Sequence, residues 1–316
     1  MLIKVLDKAT MGSDLDFNIL SPIGSLEIYD YTTEDELIDR IRDAEVIIIN
    51  KVKITAAVLK NAAKLKLVCV FATGYDNIDV SAAKTHGIAV SNVPAYSTDS
   101  VATFTLATVL SLITHLSTYR DFVATGDYSS SKAPNRITPV YHELSGKCWG
   151  IVGYGNIGKK IGKIAEAFGA RVIVNKRTPT SEAKCVDLET LCRESDIITV
   201  HCPLNEQTRS LIGEKELSLM KSSVILVNEA RGAVLDESAV ARAVTDGKIA
   251  AFGADVYSKE PFDKNHPFYA IKSLDNVVLT PHAAWAAYEA RVRCLEIIKT
   301  NIEAFIKCEI KNRVDI

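Results

Sequence analysis

The sequence predicts an α/β protein made of two doubly wound parallel-sheet domains. Three observations carry that expectation. Short apolar, β-branched runs alternate with helical periodicity along the chain, a G-x-G-x-x-G turn sits between two such runs, and the last periodic helix is long enough to return to the first unit. At 316 residues the chain is also long for a single core.

Taken in order, apolar runs at 2–6, 26–29, 46–49, 67–71 and 88–90 are separated by helical stretches such as 34–44 and 56–63. Alternation of this kind predicts a parallel sheet covered on both faces. The twenty residues 100–119 carry no charge, but five threonines, three serines and His115 make them too polar for hydrocarbon. They are expected as one long helix buried between domains or subunits. The polar stretch 125–141, with Gly126, Pro134 and Pro139, reads as an excursion over the surface.

The organising stretch is 149–178. An apolar run at 149–152 leads into Gly153, Gly155 and Gly158; Ile157, Ile161, Ile164, Ala165 and Phe168 follow at helical spacing, Gly169 stops the helix, and 171–174 forms a second strand. The motif alone is weak, and a glycine turn that binds nothing is the bland alternative; the strand–turn–helix–strand context makes it a dinucleotide fingerprint. Gly153 permits a tight turn, Gly155 a close approach of backbone to pyrophosphate, and Gly158 close packing of helix on strand. The helix N-terminus then offers unpaired N–H groups to the phosphates.

The end of the second strand bears on which dinucleotide. Asn175, Lys176, Arg177 and Thr178 stand where an NAD site usually carries a carboxylate for the ribose, and no acid precedes Glu182. Lys176 and Arg177 would attract a 2′-phosphate, so NADP(H) is favoured over NAD(H); the alternative is that both are solvated strand-end charges. Beyond them the rhythm continues through 188–192, 197–200, 217–220, 224–227, 237–244, 249–252 and 277–280 to a long final helix at 286–305.

Composition is that of an ordinary globular protein, 47% hydrophobic and 24% charged, with a net charge of -2. No basic patch points to nucleic acid or an anionic membrane. Seven scattered cysteines with no C-x-x-C pair argue against a disulfide framework or a metal site, and fit reduced thiols in the cytoplasm. The N-terminus enters a strand pattern at once, without an apolar signal core.

Three strand ends in the second half finish in reactive groups. The run 224–228 leads into Arg231, 249–253 into Asp255 and Glu260, and 277–281 into His282. Singly these read as a surface charge, a turn residue and a core histidine. Jointly, at the carboxyl ends of parallel strands, they form a constellation, and the crevice between domains is the expected ligand site.

At these residues the sequence resembles the D-isomer-specific 2-hydroxyacid dehydrogenase family over essentially its whole length. The matching segments are 72–79 (ATGYDNID), 92–102 (NVPAYSTDSVA), Gly153 to Gly158, 201–205 (HCPLN), 227–236 (VNEARGAVLD), 255–261 (DVYSKEP) and 280–285 (TPHAAW). Within the family they look most like glycerate dehydrogenases, also called hydroxypyruvate reductases. The resemblance implies a Rossmann dinucleotide-binding domain (99–283) inserted into a flavodoxin-like substrate domain (1–98, with the returning helix at 284–316).

It further implies that Arg231, Glu260 and His282 are the catalytic set. Arg231 would pair with the substrate carboxylate and polarise the 2-keto oxygen; His282 would exchange a proton with that oxygen as hydride moves at C2; Glu260 would orient the imidazole and favour its protonated form. By the same likeness Lys51 and the backbone of Thr73, Gly74 and Tyr75 hold the substrate carboxylate, and Thr73, Asn156, Ile157, Cys202, Glu229, Ala230 and Asp255 touch the cofactor. Cys202 is read as a contact, since no activating partner is evident. His86, His115, His142, His201 and His266 are left as structural or exposed.

Lys176, in place of the acid of NAD-using members, Thr103, where Glu is frequent, and Ala284, where Gly is frequent, depart from the pattern. The implied reaction interconverts a small 2-keto acid, hydroxypyruvate or glyoxylate, with its D-2-hydroxy acid, in a homodimer that suits the uncharged helix after Ser100. A dinucleotide-sensing interaction protein, like the corepressors built on this fold, is the alternative.

Overall fold

The computed structural model describes residues 1–316, which divide into two compact units: Met1–Ser97 with Ala286–Ile316, and Thr98–Trp285. In the first unit, strands β1 (Leu2–Val5), β2 (Ser25–Ile28), β3 (Val46–Ile49), β4 (Leu67–Val70) and β5 (Ala89–Ser91) form one sheet in the order β2-β1-β3-β4-β5. Every pairing is parallel, and the order is that of flavodoxin-like sheets. Strand β3 reads Val-Ile-Ile-Ile with all four residues buried, as a central strand covered on both faces must. Burying each such side chain contributes about 1.5–3 kcal/mol. The returning helix, Tyr288–Ile306, buries Ala290, Cys294, Leu295, Ile298 and Ile302 along one side and packs on β4.

The second unit carries seven parallel strands: β6 (Cys148–Val152), β7 (Arg171–Asn175), β8 (Lys184–Cys185), β9 (Ile197–Val200), β10 (Ile225–Asn228), β11 (Ala251–Ala254) and β12 (Val277–Leu279). Their order, β12-β11-β10-β9-β6-β7-β8, is the Rossmann order with one strand added beyond the sixth. At its centre Trp149 is fully buried and its indole N–H donates to Thr199 Oγ1 at 3.1 Å, so the one polar atom of the largest core side chain is satisfied.

Two expectations need correction, and one strand has no counterpart among them. The uncharged stretch is not one helix: helix Thr98–Thr114 ends at His115, which takes a left-handed φ of 51°, and a second helix, Leu116–Ala124, leaves at 66°. The first buries Val101, Ala102, Thr105, Thr108, Val109, Leu112 and Ile113 within its own unit, against helix Asn156–Ala167 and strands β10 to β12; the second buries none of its residues. No single helix is long and apolar enough to cross a membrane, and these two reach that test only as a bent pair. The apolar run at 249–252 begins too early, because Ile249 is buried core in the turn before β11. Strand β8, two residues long at the sheet edge, has no apolar run to announce it.

Candidate active site

The glycine turn is built as its spacing requires. Gly153 has a φ of +94°, and a Cβ there would lie 2.5 Å from the amide nitrogen of Cys202; a Cβ on Gly158 would lie 2.2 Å from the carbonyl oxygen of Gly153. A side chain at either position would fill the space where helix, strand and turn converge. Gly155 caps helix Asn156–Ala167, which Asn156 and Ile157 open. The concave turn with its exposed N–H groups fits a pyrophosphate.

Past β7, Lys176 is half-buried and Arg177 exposed. Glu182 feels the charge of Lys176, and its carboxylate takes Lys159 Nζ at 2.7 Å. That hydrogen bond first, and then the charges of Lys159, Lys176 and Lys163, hold the Glu182 carboxyl below its usual range. Three lysines thus act on the one carboxylate at this corner of the sheet.

At the carboxyl end of β12 the backbone turns sharply: His282 adopts a left-handed φ of 54°, its amide donating to Thr280 O at 3.1 Å. Asp255 fixes this turn. Its Oδ1 accepts from Thr280 Oγ1 at 2.7 Å and from the amide of Ala283 at 2.8 Å, and its Oδ2 from the amide of Ala284 at 2.8 Å. His282 Nδ1 then meets Glu260 Oε2 at 2.6 Å, while Glu260 Oε1 accepts the amide of Tyr257 at 3.0 Å. Tyr257 OH donates to Thr280 O at 2.8 Å, tying the two segments together.

Arg231 follows β10. Asn228, buried at the strand end, donates from Nδ2 to Arg231 O at 2.9 Å and accepts the Ala230 amide at 3.1 Å, and the Arg231 guanidinium reaches Ala230 O at 2.8 Å. Two residues earlier lies Glu229, 7% exposed. Burial, and secondly the Asp255 charge, push its carboxyl up to about 9, so it is neutral at physiological pH. Its Oε1 is 3.4 Å from Thr108 Oγ1, and its Oε2 is buried without a partner.

Cys202 is buried, which raises its thiol to about 11 and suits a contact better than a nucleophile. His201 is the outlier among the histidines set aside: both ring nitrogens are enclosed without partners, and burial lowers it to about 3.

Lys51, Thr73, Gly74 and Tyr75 lie on the first unit, in the loops after β3 and β4. Buried Asp7 accepts the amides of Asn50, Lys51 and Val52 at 2.6–3.2 Å, the shortest from Lys51, and so fixes the loop that carries Lys51. Thr73 Oγ1 donates to Val93 O at 2.8 Å, and Asn92 Nδ2 donates to Thr73 O at 2.7 Å. Asp7, Asn228 and Tyr257 position the predicted residues and were missed by the sequence reading. Their only signal was proximity to a strand end.

The Rossmann strand order, the glycine cradle and the His–carboxylate pair now stand together, and the comparison with known proteins agrees with them. The family model for D-isomer specific 2-hydroxyacid dehydrogenases, NAD binding domain, matches residues 106–284, more than half of the chain. The chain belongs to this family.

A hydroxypyruvate reductase of Blautia hydrogenotrophica is 36% identical over 97% of this chain and 97% of its own. Among solved structures, an acyclic imino acid reductase in complex with NADPH and D-Arg aligns with a TM-score of 0.87 and 30% identity, over 99% of this chain and 100% of its own. A D-lactate dehydrogenase from Aquifex aeolicus, complexed with NAD and lactic acid, aligns at 0.88 and 29% identity, over 100% and 99%. This D-2-hydroxyacid dehydrogenase therefore uses a nicotinamide dinucleotide and acts on small 2-keto or 2-hydroxy acids. The sensing alternative is not favoured by relatives that are enzymes by name.

Proposed function

We propose that this dehydrogenase reduces hydroxypyruvate to D-glycerate, and glyoxylate to glycolate, with NADPH preferred over NADH. The observation that carries the reading is the 2.6 Å contact between His282 Nδ1 and Glu260 Oε2. It makes Nδ1 the donor to a carboxylate, so that Nε2 is the ring atom that gives a proton to the keto oxygen. Arg231 pairs with the substrate carboxylate and draws charge from the keto group. The dinucleotide supplies the hydride. On the first unit, Lys51 and the backbone around Thr73, Gly74 and Tyr75 are proposed substrate contacts, and Thr73 also a cofactor contact. On the second, Gly153, Gly155, Asn156, Ile157, Gly158, Cys202, Glu229, Ala230 and Asp255 are proposed cofactor contacts.

Hydroxypyruvate is favoured because the Blautia relative is named for it. NADPH is favoured by Lys176 and Arg177, with Glu182 already engaged by Lys159. A homodimer is proposed from the exposed apolar side chains Leu116, Val123, Ile137, Val140 and Tyr141, which fall close together in sequence. A cytoplasmic location is proposed from seven cysteines, all free.

The test is initial rates with hydroxypyruvate, glyoxylate and pyruvate, each with NADPH and NADH. Fastest turnover of hydroxypyruvate with NADPH supports the reading. Preference for pyruvate or for NADH removes the corresponding half of it. Sedimentation at micromolar concentration decides the oligomeric state.

A further inference from the structure

Glu237 is a buried carboxylate that none of the chemistry above uses. It opens helix Glu237–Thr245 behind the N-cap Asp236 and is 8% exposed. Its Oε1 accepts the amide of Ser258 at 2.8 Å; its Oε2 accepts the Ser258 hydroxyl and faces His266 Nε2 at 3.0 Å. His266 is also buried, and its Nδ1 accepts the amide of Phe268 at 3.2 Å, so the ring hydrogen sits on Nε2 and is donated to Glu237. The imidazole stacks on Phe262 at 5.0 Å and meets the Tyr257 ring edge-on at 5.9 Å. One carboxylate thereby grips both ends of the segment that carries Glu260.

The gripped peptide adjoins the one that matters to the site, the two sharing the α-carbon of Tyr257. The amide of Tyr257 gives Glu260 Oε1 its hydrogen bond, while the other oxygen meets His282. Gly232 packs on the Tyr257–Ser258 peptide: a Cβ there would lie 2.0 Å from the carbonyl carbon of Tyr257 and 2.2 Å from the nitrogen of Ser258. The Tyr257–Ser258 peptide is thus held by Gly232 packing and by the Glu237 carboxylate, which fixes Tyr257, the residue whose N–H Glu260 accepts.

We propose that Glu237 is a positioning residue for keto-acid reduction, holding the Tyr257–Ser258 peptide so that Glu260 meets His282. The inference rests on the acid–base roles given to His282 and Glu260 above. A carboxylate suits the post because three donors converge on it, and charge-assisted hydrogen bonds hold geometry more firmly than neutral ones. An amide in its place would turn N–H groups toward one of those donors. Small displacements of a group that supports the proton donor are felt in the transition state more than in substrate binding.

The experiment is a double-mutant cycle on the full-length enzyme with Glu237→Ala, Glu260→Gln and the pair, reading kcat, the keto-acid KM and, by quenching of protein fluorescence, dinucleotide affinity. Glu237→Ala is expected to lower kcat about tenfold, with KM and dinucleotide affinity within about twofold of wild type. In the Glu260→Gln background it is expected to cost no more than about twofold further, because its effect already runs through Glu260. If Glu237→Ala does not yield folded protein, Glu237→Gln keeps the volume and one acceptor and serves in the same cycle, with the same non-additivity expected. A raised KM with unchanged kcat, or losses that multiply in the pair, overturn the positioning role while leaving the acid–base reading intact. Full activity in Glu260→Gln alone would remove that reading, and this inference with it.

Discussion

His282 Nδ1 lies 2.6 Å from Glu260 Oε2, with 24% and 30% of the two side chains exposed. The histidine comes from the end of β12 and the glutamate from the loop after β11, so the pair exists only once both strands have added to the sheet. Glu260→Gln leaves a hydrogen-bond acceptor but no charge. The expected result is a fall in kcat of about tenfold or more with dinucleotide affinity unchanged, as for loss of support to a general acid. Steady-state kinetics with a fluorescence titration check it.

Lys176 and Arg177 make a second prediction. Replacing both by Ala is expected to raise the KM for NADPH at least about tenfold and to change that for NADH by less than about twofold, since only the former carries a 2′-phosphate. Equal effects on both cofactors would return these residues to solvated surface charge. Raising ionic strength should weaken NADPH binding more than NADH binding for the same reason.

Glu229 predicts a pH dependence of stability. Its carboxyl is raised from 4.5 to about 9 in the native state, so above pH 4.5 the folded protein keeps a proton that the unfolded chain releases. The stability associated with Glu229 is full below pH 4.5 and is lost as pH rises toward 9. Glu229→Gln mimics the neutral form at every pH. The variant is therefore expected to gain on the wild type between pH 5 and 9 by about 1.4 kcal/mol per pH unit at most, measured by denaturant unfolding. Curves that stay parallel across that range would contradict it.

Asp255 anchors Thr280, Ala283 and Ala284 around His282. Asp255→Ala strips three donors of their acceptor, and each unsatisfied group costs about 1–3 kcal/mol when it stays buried. A stability loss of about 3 kcal/mol is expected, together with a larger fall in kcat than in keto-acid affinity, because the left-handed turn at His282 loses its support. Chemical denaturation and initial rates on one preparation separate the two effects.

How far the sequence could be read follows from where its signals are local. Glycine spacing at 153, 155 and 158 and the alternation of apolar runs are local, and they predict the parallel sheets and the cradle. The placement of Arg231, Glu260 and His282 after strands was legible for the same reason, and the contact between the last two follows from neighbouring strand ends. Other features are set by partners far along the chain. Asp7 takes the amide of Lys51, 44 residues on, and Glu237 takes that of Ser258. Apart from the strand end before Asp7, nothing in the local pattern at Asp7 or Glu237 separates them from a surface acid. The break at His115 was illegible because the uncharged character of 100–119 continues through it, while only the first helix has core to cover it. The start of β11 was misplaced because burial at Ile249 and strand pairing are different properties that share one hydrophobic signal.

The central claim, that His282 gives the proton in reduction of hydroxypyruvate to the D-hydroxy acid, is tested most directly by one comparison: turnover of hydroxypyruvate under saturating NADPH by the wild type and by His282→Gln, with the glycerate formed resolved by chirality. The account predicts D-glycerate from the wild type and a kcat lower by about 100-fold or more in the variant. L-glycerate as product, or a His282→Gln enzyme that turns over as fast as the wild type, would contradict it.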